Sequence, residues 1–177
     1  MRTSIFLLLL IVAASCTTPT PRKPVVRKTS TFLTESIQRN KIINEVEEQA
    51  LLDYMKNDSL SDYLTSPNGF WYRYIVKDSL TKRFPIKGDE VLYAYEIKDV
   101  NDVLIYSKEE LGDRNYLVDR EELISGLQDG LKLMKEGEKI QFLFPSHKAY
   151  GYSGYKKIAG NQPLIYDVEL KRISTSK

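Results

Sequence analysis

From Phe70 onward the apolar residues alternate, and that alternation limits the folds open to this chain. Phe70, Tyr72, Tyr74 and Val76 fall on one side of an extended segment, with Trp71, Arg73 and Ile75 on the other. Val91, Tyr93, Tyr95 and Ile97 repeat the pattern, as do Ile140, Phe142 and Phe144, and then Leu164, Tyr166, Val168 and Leu170. Val103 to Tyr106 and Tyr116 to Val118 are shorter strand candidates. Side chains alternate between faces only in strands, so many short segments of period two predict an antiparallel sheet. One stretch breaks the period: Leu123, Ile124, Leu127, Leu131 and Met134 share one helical face. Asp119 and Glu122 are spaced as a capping pair before it, and Gly137 follows as a stop. The expected class is α+β, a curved antiparallel sheet wrapped around one short helix.

A second helix is expected upstream. Over residues 33–56, Ile43, Val46, Ala50 and Tyr54 recur at three- and four-residue intervals, with Leu51 and Met55 beside them. Glu45, Glu47, Glu48 and Gln49 fill the polar positions, and Asn57-Asp58 supplies a stop. The turn signal Ser66-Pro67-Asn68-Gly69 opens the main domain. Residues 33–66 therefore read as a helical extension and residues 67–174 as the domain. The helix has two options, its own domain or a second copy in an oligomer.

The first 16 residues, MRTSIFLLLLIVAASC, carry one early charge and an apolar run too short to span a bilayer. They fit a secretory signal at residues 1–15. The small residues before Cys16 resemble the bacterial lipobox, which implies a lipidated Cys16. This is the one cysteine of the chain, so an internal disulfide is excluded. More than one acyl chain gives stable membrane anchoring. Residues 16–32, with three prolines after Cys16, read as a solvated tether; Arg22, Lys23, Arg27 and Lys28 could also rest on anionic headgroups. Thr17-Thr18-Pro19 carries no acidic cluster, which favours a lipid-anchored envelope protein facing the periplasm.

Several kinds of chemistry have little to stand on. A net charge of +2 argues against a nucleic-acid binder. His147 is the single histidine, so no metal site assembles, and it reads as a solvated loop residue. No nucleophile elbow is present. Gly151, Gly154 and Gly160 fall in a hairpin-like loop rather than between a strand and a helix, so no phosphate loop is expected. No cofactor is called for. What remains is a sheet rich in tyrosine, twelve in all, a residue suited to pocket walls.

The order of motifs after Leu123 carries a resemblance. LISGLQDG leads into a strand ending at Pro145, then Ala149-Tyr150-Gly151, a loop from Tyr152 to Gln162, and a final alternating strand. This resembles the FKBP-type peptidyl-prolyl cis-trans isomerases over about Asn68 to Ile173. The resemblance implies an apolar cleft. Tyr95 and Tyr106 would stand at the positions of a pocket Tyr and Phe, and Tyr166 at that of a Phe on the last strand. Leu123 and Ile124 match the apolar pair before the helix, the Ile124 N–H being a ligand donor. Tyr150 would reach a bound carbonyl, and Ile158 would close the flap. Ser107 stands where many members carry Asp, and Leu127 where many carry a floor Trp, so macrolide inhibitors should bind less well.

The implied function is isomerisation of X–Pro bonds in exported proteins. The anchor, the helix and the Ser66-to-Tyr72 stretch SPNGFWY also resemble the gliding-motility-associated FKBP-type lipoproteins of Bacteroidota. The rival expectation is a non-catalytic binding module or chaperone built on the same fold.

Overall fold

A computed structural model describes residues 29–58, 62–78 and 83–175. The expectations for the signal segment, Cys16 and the tether up to residue 28 lie outside the described residues; residues 29–32, expected as tether, are helical.

The first element among the described residues is helix α1, Thr29–Asn57. Then come strands β1 (Leu64–Ser66), β2 (Phe70–Val76), β3 (Asp89–Lys98) and β4 (Leu104–Tyr106). A one-turn helix α2 (Lys108–Leu111) precedes β5 (Arg114–Leu117), and helix α3 (Ser125–Leu131) precedes β6 (Lys139–Phe144). Two 3-10 turns, Ser146–Lys148 and Gly151–Ser153, lead to the long strand β7 (Leu164–Thr175). The sheet order is β1-β2-β6-β7-β3-β4, with β5 also pairing β3, and every pairing is antiparallel. β1, within the stretch read as extension, is thus an edge strand of the sheet.

The period-two pattern sorts into two faces as expected. Tyr72 and Tyr74, Val91, Tyr93, Tyr95 and Ile97, Phe142 and Phe144, and Tyr166, Val168 and Leu170 pack into one cluster with Leu127, Leu131 and Met134. The exception is Val76. The β2–β6 register shifts between Tyr74 and Val76, a bulge that ends the alternation and leaves Val76 exposed.

Helix α3 lies directly on β6 because it has glycines one turn apart on its inner face. A Cβ on Gly126 would stand 2.6 Å from the Phe144 ring, and one on Gly130 3.0 Å from the Phe142 ring. Those two rings stack at 5.5 Å, giving the helix a flat bed. The capping pair expected at Asp119 and Glu122 does not form. Ile124 is the N-cap and supplies no side-chain cap bond. Asp119 instead sits in a turn at φ 54° and accepts from Lys132 at 3.0 Å. The spacing of three matched a cap, but a turn intervenes before the helix starts.

The opposite face of the sheet is covered by the second half of α1. Leu51 is fully buried against Leu143 and Ile165, with Tyr54, Met55, Tyr63 and Trp71 packed around them. Two readings of this helix need correction. Val46 was counted on the apolar face but is 65% exposed, whereas Glu47, counted as polar fill, is 3% exposed. Glu47 and Leu51 are the buried residues, flanked by part-buried Ile43, Ala50, Tyr54 and Met55.

Candidate functional site

The residues singled out on the sequence converge on the α3 side of the sheet. Of those among the described residues, all but Ser107 belong to one packed cluster, with Tyr95, Leu123, Ile124 and Tyr150 only partly buried at its edge. Strand alternation explains the first two contributions. Tyr95 on β3 and Tyr166 on the adjacent β7 point to the same side, and their rings stack at 5.5 Å and 8°. Tyr93 continues the stack beyond Tyr95 at 5.6 Å. Phe144 meets Tyr166 edge-on at 5.3 Å. The result is a packed stack of rings with large apolar area, of which Tyr95 is only partly buried at the edge.

Leu127 is buried at the floor beside the start of α3. Ile124, as the N-cap residue, has an N–H that makes no intrahelical bond, which leaves a backbone donor at the helix start next to the cleft. Its carbonyl is already used, accepting from Leu127 and Gln128 at 3.0 Å each. Tyr150 follows the first 3-10 turn. Its hydroxyl lies 3.5 Å from that of the fully buried Tyr166, a long contact that leaves the partly buried Tyr150 free to meet a ligand. Burial first, then the Tyr150 hydroxyl, pushes the Tyr166 phenol well above its ordinary range. Burial likewise raises Tyr93 and Tyr95. These phenols therefore stay neutral, as hydrogen-bond donors, throughout the physiological range.

The loop from Tyr152 to Gln162 closes over one end. Ile158 is buried in the cluster, and Tyr155 and Ile158 exchange backbone hydrogen bonds of 2.9 and 2.8 Å. Gly154 and Gly160 are required here: a Cβ on either would stand 2.4 Å or less from a backbone oxygen across the loop. The loop is strapped to Tyr106, whose hydroxyl accepts from the Lys157 N–H at 3.3 Å while the Lys157 ammonium sits 4.8 Å from the ring centre. That ammonium also pairs with Glu110 at 2.7 Å.

Ser107 is not part of this gathering. It caps α2, its Oγ accepting from the Glu110 N–H at 3.2 Å. His147 is exposed, as expected of a loop residue. Sequence reasoning missed Tyr155, whose ring stacks on Tyr150 at 5.4 Å and 10° and is half exposed at the rim. Nothing periodic marks it, because a loop bridge rather than a strand places it. Tyr93 was legible in the alternation and simply extends the stack.

A cavity of about 880 Å³ lies on the other face between α1 and the sheet. Its walls are polar: Asp58, Arg73, Lys98, Gln141 and Asp167 are joined by direct hydrogen bonds and ion pairs. Tyr54 is the one aromatic residue in its lining, so it has no stack of rings like that of Tyr93, Tyr95 and Tyr166 beside α3.

The model of the family described as FKBP-type peptidyl-prolyl cis-trans isomerase matches residues 81–171. The probable isomerase FkpA of Neisseria meningitidis serogroup B is 30% identical over 122 residues, 68% of this chain and 44% of that protein. The isomerase FKBP10 of Bos taurus is 32% identical over 84 residues, 47% of this chain and 14% of its own length. The match thus spans less than half the length of either relative. Among solved structures, FkpA from Escherichia coli superposes with a TM-score of 0.63 at 20% identity, covering 100% of this chain and 84% of that one. An isomerase from Pseudomonas syringae pv. tomato gives 0.62 at 20% identity, covering 76% and 96%. At that identity the two structures speak for the fold alone: an N-terminal helix before an open antiparallel sheet and a short helix. With the family model matching half of the chain, the chain belongs to the FKBP-type peptidyl-prolyl cis-trans isomerase family.

Proposed function

We propose that this protein catalyses cis–trans isomerisation of X–Pro bonds in exported polypeptides. The observation that carries the proposal is the parallel stack of Tyr95 on Tyr166, with the Tyr150 hydroxyl at its edge and buried Leu127 below. Rotation about a peptide bond faces a barrier of ~18–20 kcal/mol from amide resonance. No bond between heavy atoms breaks, so the site needs no nucleophile. In the twisted transition state the carbonyl loses negative charge and the nitrogen gains basicity. A dry aromatic cleft disfavours the polar planar amide relative to that form. The ring faces of Tyr95, Tyr106 and Tyr166 would cradle the prolyl ring. The Tyr150 hydroxyl and the Ile124 N–H would hold the flanking carbonyls and keep the rest of the chain from turning with the bond.

The same proposal places the domain in the cell envelope, anchored through lipid on Cys16 and facing the periplasm, with a role in gliding motility among the options the sequence raises. Support comes from the sequence alone: an apolar segment ending in Ala13-Ala14-Ser15-Cys16 and a proline-rich tether. Metabolic labelling with a radioactive fatty acid checks it. Label that survives in Cys16→Ser removes the anchor from the proposal.

The binding-module reading has one observation in its favour. Ser107 stands where many relatives carry a cleft carboxylate, and its hydroxyl is engaged in capping α2. Catalysed isomerisation of X–Pro peptides, measured on the full chain and on Tyr150→Ala, separates the two. Acceleration that falls in the variant establishes the enzyme. A folded protein that accelerates none of a panel of residues before proline leaves a binding protein.

A further inference from the structure

The turn that carries Tyr150 is gripped from two sides. On the domain side, the Ser125 hydroxyl donates to the Lys148 carbonyl at 3.5 Å. Gly126 lets the turn come close: a Cβ there would lie 3.0 Å from that same carbonyl oxygen. On the other side stands α1. The Glu47 carboxylate accepts from the Ser146 N–H and from the Ser146 hydroxyl, both at 2.7 Å. Glu47 is 3% exposed and Ser146 is 4% exposed.

Burying a carboxylate is costly unless its charge is met by hydrogen bonds, and short charge-assisted bonds are the strong kind. Both oxygens here are taken by one residue. Packing alone would be served better by an apolar side chain, such as Leu51 one turn further on, which is buried against Leu143 and Ile165. That anchorage also fixes the backbone from which Glu47 reaches. From Ser146 the chain has little freedom before the cleft. The Lys148 N–H donates to Pro145 and the Ala149 N–H to Ser146, at 2.9 and 2.8 Å, and Tyr150 is next.

We infer that Glu47 is a positioning residue for isomerisation: by holding Ser146 it fixes where the Tyr150 hydroxyl stands at the cleft. Glu47 lies outside the residues 81–171 that match the family model, so this chain sets part of its cleft with an element added before the family domain. The inference rests on the isomerase reading above.

The test uses the full chain, with X–Pro peptides as substrate and with 13C-labelled tyrosine, Tyr150 being assigned from Tyr150→Phe. Glu47→Ala should lower kcat on the order of ten- to a hundredfold, the scale of a misplaced catalytic group, with KM nearly unchanged and the Tyr150 resonance displaced. Glu47→Gln keeps an acceptor for the Ser146 N–H and should recover activity to within about threefold of the parent. Glu45→Ala removes an exposed carboxylate from the same helix and should match the parent in both readouts. Should Glu47→Ala fail to fold, Ser146→Ala, which deletes only the hydroxyl donor, should still displace the Tyr150 resonance and lower kcat. Parental kcat and an unmoved Tyr150 resonance in a folded Glu47→Ala, or in Ser146→Ala if that protein does not fold, overturn the inference. So does a loss expressed wholly in KM. If the parent chain itself is inactive, the isomerase reading falls. The Tyr150 resonance in the same variants then still decides whether Glu47 holds the turn.

Discussion

The two faces of the sheet are built from the same strands by opposite means. The α3 face is aromatic: Phe142, Phe144, Tyr95 and Tyr166 meet ring to ring, and its partly buried edge is the cleft. The α1 face has a small apolar centre at Leu51, Leu143 and Ile165, beside a polar network of Arg73, Lys98, Gln141 and Asp167. Both are well satisfied, but only the first gathers several rings behind a partly buried edge. A substitution on the α3 face should therefore change stability and activity together, and one in the apolar centre of the α1 face should change stability alone, Glu47 being the exception through its hold on the Tyr150 turn.

The largest effect is expected at Phe144, which supports both α3 and the edge of Tyr166. Phe144→Ala should cost about 3–5 kcal/mol of unfolding free energy and abolish isomerisation, by denaturant melts and peptide assays. Its neighbour points the other way. Leu143→Ala should cost about 2–5 kcal/mol, yet retain kcat/KM at temperatures where the variant stays folded. Equal loss of activity in the two folded variants would erase the distinction between the faces.

Tyr150→Phe isolates one hydroxyl. With a partly buried ring and only a 3.5 Å contact to Tyr166, it should leave the melting temperature almost unchanged. kcat/KM should fall by roughly tenfold, the equivalent of about 1.4 kcal/mol of transition-state binding. An unchanged rate would leave the cleft working by its ring faces alone.

Acid should probe the sheet away from both faces. The Arg83 guanidinium beside Asp89, and the Ile86 N–H, hold the Asp89 carboxyl below the usual carboxylate range, against the opposing effect of burial. A depressed folded-state pKa contributes stability that is present above the unfolded value of about 4 and is lost as pH falls through the folded value. Asp89→Asn should therefore flatten the decline in melting temperature below about pH 4, with no effect on the rate at pH 7. The smallest effect is expected from Lys98→Met. Its ion pairs with Asp167 and Glu96 are partly solvated, so the loss should be under about 1 kcal/mol and the activity parental. A large loss there would mean that the polar network holds the α1 face more than its apolar centre does.

Much of this was legible before any coordinates. Strand alternation placed Tyr93, Tyr95, Phe142, Phe144 and Tyr166 on one side, since period two leaves a side chain no other choice. The α3 stripe named Leu127 and Leu131, which are buried. Other features were not legible, because they depend on local backbone geometry that no periodicity reports. Ser107 sits at a position that suggests the cleft, but the start of α2 claims its hydroxyl. The pair Asp119 and Glu122 has the spacing of a cap without the helix to use it. Tyr155 reaches the rim only because its loop folds back on Ile158.

The sequence by itself determined the sheet, the side of it that is aromatic, the two helices and the family. Those rest on periodicity and local order, which a chain carries wherever it goes. Tertiary structure alone decided which stripe of α1 is buried, and with it the fate of Glu47. Its partner Ser146 lies 99 positions away, and a glutamate among glutamates has nothing local to mark it until two segments meet and exclude water.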